Sequence, residues 1–113
     1  MQNFERRRDV RTPITVPTRL VRRSGIETLA MIDASFRGLF ARFSTTPNTR
    51  ELVKLRIQLP SRELEVHAVV VRIVHDSLGR AGVGLRFFAL NGQDKTDWEG
   101  FVSDHLNRYA RAA

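Results

Sequence analysis

Arginine crowds the start of this chain. Arg6, Arg7, Arg8 and Arg11 fall within the stretch RRRDVR, where Asp9 and Val10 interrupt them. A guanidinium is planar, always charged and presents its donors as a fork, so a cluster of them suits an anion with paired oxygens, such as a phosphate. A second stretch, DASFRG, carries complementary groups in Asp33, Ser35 and Gly38. An ionised aspartate only accepts hydrogen bonds, and a serine hydroxyl donates or accepts. A glycine lets the backbone turn and approach a ligand closely. Each stretch also has an ordinary reading. The arginines can be a solvated arm, and Asp33 and Ser35 can cap their own turn.

Other chemistry has no foothold. The histidines are His67, His75 and His105, and none is spaced with a second histidine or a glutamate as a metal site requires. There is no cysteine, hence no disulfide, thiolate ligand or thiol nucleophile. No serine sits in a GxSxG elbow, and no phosphate-binding glycine loop opens a helix; Gly82 and Gly84 lie inside an apolar strand pattern. No two carboxylates are spaced for acid–base work. The expectation is a binding module with no catalytic residue, metal or resident cofactor.

The chain has 113 residues and a formal charge of +7, which points to an anionic partner. Its lysines are Lys54 and Lys95; arginine supplies the rest of the positive charge. Codon bias toward arginine can explain that quantity but not its position. No apolar run approaches the roughly 20 residues that span a bilayer. The charged N-terminus lacks a signal core. Together these set the expectation of a cytoplasmic protein without membrane insertion.

The elements that must position the two stretches follow from period. Residues 1–12 read as a flexible arginine-rich arm ending before Pro13, and residues 13–113 as one domain. Ile14, Val16, Thr18 and Leu20 alternate with polar residues, a half-buried strand in which Pro17 marks an edge or irregularity. Ser24-Gly25 turns into a second strand, Glu27 to Asp33; DASFRG breaks it, and Gly38 to Phe43 resumes. After a loop over residues 44–51, Val53, Leu55, Ile57 and Leu59 form the clearest amphipathic strand. A longer strand, Glu63 to Val74, has Leu64, Val66, Ala68 and Val70 inward, and Ala81 to Phe88 is the last. The period then changes. Trp98, Phe101, Val102, His105, Leu106 and Tyr109 share one face of a helix over about 91–110, with Asn91 and Asp94 as a possible capping pair. Six strands and a helix make the fold class mainly β: a six-stranded antiparallel barrel closed by a C-terminal α-helix.

In that arrangement the arginine string precedes the first strand and the aspartate–serine string ends the second, so one hairpin brings them to one face. The pairing of RRxxxR with DxSxxG, together with the late GVGLRFF strand and the helix bearing Trp98 and Phe101, resembles the PilZ domain, a bacterial receptor module for cyclic di-GMP. The resemblance covers nearly the whole chain. It implies a PilZ-type barrel and no enzymatic activity. Arg7 and Arg11 resemble the pair that grips guanine and phosphate, and Arg6 the extra leading arginine. Asp33 and Ser35 resemble the pair that holds a guanine, with Gly38 keeping the turn open. Arg42 matches a frequent basic position in the family. Arg8 is an extra cation, left between ligand and water.

The chemistry is consistent with that ligand. Guanidinium forks match phosphate oxygens and the O6 and N7 acceptors of guanine, and can stack on a purine. An aspartate accepts from guanine N1–H and N2–H. The resemblance thus implies a cyclic di-GMP receptor whose arm changes conformation on binding and relays the signal to a partner protein not named by the sequence. Two other readings stay open. One is a PilZ-fold adaptor that binds protein and no nucleotide. The other is a small basic barrel for RNA or single-stranded DNA, against which the aromatics count, because they fall in strand-core and helix positions rather than on an exposed sheet.

Overall fold

The computed structural model describes residues 11–112, with side chains through residue 108. The strands are β1 (Thr12–Pro13), β2 (Thr18–Arg22), β3 (Gly25–Ser35), β4 (Gly38–Arg42), β5 (Leu52–Gln58), β6 (Glu63–His75) and β7 (Ala81–Phe88), and the helix is α1 (Gly92–Ala112). All pairings are antiparallel. The sheet order β1-β3-β2-β5-β6-β7-β4, with a further β3–β4 pairing, closes β2 to β7 into a six-stranded barrel. Closure removes the exposed edges that an open sheet would present. Among the described residues no helix is long and apolar enough to cross a membrane.

Alternation in the sequence became alternation in burial. Val53, Leu55 and Ile57 of β5 and Leu64, Val66, Ala68 and Val70 of β6 point into the core, because successive side chains of a strand face opposite sides. The first strand differs from its expected form. Thr12–Pro13 pairs with the end of β3 and Thr18–Arg22 with its beginning, and residues 14–17 between them leave the ladder. Pro17 has no N–H to give; its carbonyl instead accepts from the Gln58 amide at 2.9 Å. The extra strand β1 therefore comes from the end of the expected arm, where Thr12 is buried.

One irregularity decides where Asp33 and Ser35 face. In β3, Met31 pairs with Ala41 and Asp33 with Phe40, which leaves Ile32 as a bulge. Leu29 and Met31 point inward. Strict alternation would send Asp33 inward as well. The extra residue reverses the parity, so Ala34 is buried while Asp33 and Ser35 share the outer face.

Helix α1 packs across one end of the barrel. Trp98 and Val102 are fully buried there, with Phe101 and Leu106 partly buried beside them. The Trp98 ring meets Phe87 of β7 edge-on, with centroids 5.0 Å apart. The expected capping pair does not form among the described residues. Asp94 accepts from Arg62 of the β5–β6 turn, and Arg62 Nε also donates to Asp97 at 2.8 Å. These two carboxylates raise the Arg62 pKa further above its ordinary value. Arg62 in turn, followed by Gln93, holds Asp97 below the usual carboxylate range.

Candidate ligand-binding site

The hairpin joining β3 to β4 has a two-residue turn, Phe36 and Arg37, because Ser35 pairs directly with Gly38. DASFRG is thus a strand end and a tight turn. Gly38 lies where β7 crosses closest. A Cβ built there would sit 1.9 Å from the Leu85 carbonyl oxygen. Its glycine is required by strand contact within the barrel, a constraint the sequence does not show.

Arg11, the first described residue, reaches over this strand end. Its Nη1 lies 2.9 Å from Asp33 Oδ1. Its guanidinium carbon is 6.0 Å from the centroid of the Phe40 ring, and that of Arg72 on β6 is 5.7 Å from the same ring, within reach of a cation–π interaction. Room for the ring comes from β7. A Cβ at Gly82 would meet the tip of Phe40 at 2.5 Å. Below this platform lies a cleft of about 230 Å³ walled by Arg11, Ser35, Gly38, Val71, Arg37 and Arg86.

The structure therefore brings Arg11, Asp33, Ser35 and Gly38 together. Arg6, Arg7 and Arg8 lie outside the described residues. Arg42 shares the outer face of β4 with Gly38 and Phe40, but its Nη1 lies 3.1 Å from Asp76 in the β6–β7 turn. Asp76 also accepts from the backbone amides of Leu78 and Arg80, each at 2.9 Å, and from Arg80 Nε at 3.0 Å. Its pKa is lowered, first by the Arg80 amide. Arg42 is thus directed toward that turn.

Sequence reading missed Arg37, Arg72 and Arg86. A signal existed for the last two: each is a lone arginine in an apolar strand run, VVVRIV and GLRFF. Whether such a residue faces the site depends on β6 register, where Val71 is a second bulge between Val70 and Arg72.

Arg11 over an aspartate that the Ile32 bulge turns outward, with a glycine required by strand contact beside them, can be compared with known proteins. The sequence matches the family described as PilZ domain over residues 5–104. The chain belongs to the PilZ domain family. No curated protein matches it. Its fold is similar to that of the inhibitor of motility MotI/DgrA from Bacillus subtilis, at 20% identity and a TM-score of 0.79, over 96% of this chain and 53% of that one. The PilZ domain of YcgR from Escherichia coli, solved with c-di-GMP, gives 15% identity and 0.71, over 95% of both chains. The MrkH–c-di-GMP complex of K. pneumonia gives 18% and 0.80, over 94% of this chain and 55% of that one. This PilZ chain spans about half the length of MotI/DgrA and MrkH. At these identities the likeness is one of fold.

Proposed function

We propose that this PilZ domain is a cyclic di-GMP receptor whose ligand binds where Arg11 meets Asp33. The observation that carries the reading is the 2.9 Å approach of those two side chains over a cleft that also holds Ser35 and Gly38. Arg11 and Asp33, one from each family motif and twenty-two residues apart, thus share one surface. Structural neighbours solved with c-di-GMP support the ligand class.

In this reading a guanine edge donates N1–H and N2–H to the Asp33 carboxylate, with the Ser35 hydroxyl beside it. The base takes the place that the Arg11 guanidinium occupies on Asp33. Arg11 is thereby freed for a phosphate or for the guanine O6 and N7 edge. The cleft, at about 230 Å³, is smaller than the roughly 300–1,000 Å³ that encloses a drug-sized ligand. A cyclic dinucleotide therefore lies partly outside it, and Arg6 and Arg7 of the arm supply the remaining cations. Arg8 and Arg42 are further candidates. Ordering of the arm over the ligand is the conformational signal, and a partner protein reads it.

Isothermal titration of cyclic di-GMP into the full chain tests this, with Arg11→Ala and Asp33→Ala alongside and GTP as control. Saturable binding that GTP lacks and both variants lose is expected. A folded wild-type protein that takes up no cyclic di-GMP would leave a PilZ-fold adaptor.

A further inference from the structure

A second cavity is larger than the cleft. It is a neighbouring groove of about 680 Å³ between the Phe36-Arg37 turn, the end of β7 and the first half of α1. Its large apolar lining residues are Phe36, Phe87 and Leu90, all partly buried and packed on the core. Trp98 fixes the Phe87 ring from beneath. The Phe87 amide donates to the Arg37 carbonyl at 2.8 Å, which ties the turn to β7. The apolar surface is thus held in place before anything docks on it.

The polar lining is one-sided. Arg37, Arg86 and Lys95 are cationic, and Glu99 is the single acid. Elsewhere on the barrel, several outer-face arginines meet carboxylates: Arg19 with Glu63, Arg42 with Asp76 and Arg56 with Glu65. The side chains of Arg86 and Lys95 make no ion pair with any described residue. Two cations left over beside a fixed apolar surface complement an anionic segment with an apolar anchor.

We propose that this groove docks an acidic protein segment carrying an aromatic or aliphatic anchor, and that the nucleotide cleft controls it. The segment's apolar side chain enters between Phe36, Phe87 and Leu90, and its carboxylates meet Arg86 and Lys95. Control follows from shared walls, since Arg37 and Arg86 line both the groove and the cleft. An arginine drawn toward a nucleotide phosphate is withdrawn from the groove, so the two occupants are coupled. The coupling rests on the cyclic di-GMP reading above; the docking chemistry does not.

The probe is a fluorescein-labelled peptide with one phenylalanine between two acidic pairs, read by polarisation against the full chain. Two control peptides replace the acids by lysine or the phenylalanine by alanine. Saturable binding of the acidic aromatic peptide alone is expected. Lys95→Glu, which changes an exposed residue outside the cleft, weakens it by about threefold or more, and Glu99→Gln strengthens it. Lys95→Glu leaves cyclic di-GMP binding unchanged. Saturating cyclic di-GMP shifts peptide affinity by about fivefold or more. Equal binding of the three peptides, or indifference to Lys95→Glu, overturns the docking site. Peptide affinity unmoved by bound nucleotide overturns the coupling. A chain that binds peptide but no cyclic di-GMP overturns the receptor reading and leaves the docking site standing.

Discussion

The indole Nε1–H of Trp98 donates to the carbonyl oxygen of Ser35 at 3.0 Å, sixty-three residues back along the chain. Both groups are buried. The bond links helix α1 directly to the strand end that carries Asp33 and Ser35. The helix thus braces the strand end that carries Asp33 and Ser35 as well as closing the barrel.

Trp98→Phe tests that link. The ring still meets Phe87, but the Ser35 carbonyl loses its donor. An unsatisfied buried acceptor costs about 1–3 kcal/mol, so calorimetry is expected to show a midpoint lower by at least about 4 °C. Affinity for cyclic di-GMP falls with it. Val102→Ala, which thins the same helix contact without touching Ser35, lowers stability and leaves affinity unchanged.

Arg11→Ala and Asp33→Ala are expected to separate binding from folding. Their ion pair is solvent-exposed, with 45% and 25% of the two side chains accessible, and such pairs contribute about 0–1 kcal/mol to stability. A bidentate guanine contact is worth about 1–3 kcal/mol. Titration should therefore show binding at least about tenfold weaker, with little change in urea midpoint. Binding like wild type would remove these residues from the site.

Gly38→Ala and Gly82→Ala should differ in cost. At Gly38 the new methyl meets the backbone of Leu85, which cannot swing aside; at Gly82 it meets the tip of the partly exposed Phe40 ring, which can. Overpacking of the first kind costs about 1–3 kcal/mol or more. Urea unfolding should show the larger loss at Gly38. At Gly82 the change appears instead in the Phe40 ring signals by NMR.

The Arg62 clamp on α1 carries a pH signature. The folded-state pKa of Asp97 is depressed, chiefly by Arg62. Its stabilising contribution is therefore complete above the ordinary aspartate value of about 4 and is lost as pH falls below that value through the lowered one. Asp97→Asn should be less stable than wild type at pH 6, and the gap should close in acid. Trp98 is the sole tryptophan, so its fluorescence follows helix docking in both proteins. A gap that stays constant down to pH 3 would mean that the clamp does not hold the helix.

Much of the fold was legible because burial imposes period. Val53 to Leu59 alternate since β5 has one face in the core, and Trp98, Phe101 and Val102 recur at helical spacing since α1 lays one face on the barrel. The candidate site was half legible for a different reason. Arg11, Asp33, Ser35 and Gly38 are recognisable by type and spacing, but their facing is not. Alternation from Leu29 and Met31 predicts Asp33 inside, and the Ile32 bulge that turns it outward appears only in the pairing with β4. Asp94 read as a cap partner, yet Arg62, thirty-two residues away, takes it.

What the amino-acid order determined by itself was therefore local and periodic: most of the strands but not the break at residues 14–17, where the helix runs, that no cysteine chemistry exists, and that two arginine- and aspartate-bearing strings stand one hairpin apart. The tertiary structure alone decided which charges meet. It joined Arg11 to Asp33 and sent Arg42 to Asp76. Among the described residues it also left Arg86 and Lys95 without an ion-pair partner, beside the groove of Phe36, Phe87 and Leu90. The reason is physical. Periodicity reports whether a side chain is buried, because burial repeats with the backbone. Partner choice depends on barrel register and bulges, which are settled by strands distant in sequence.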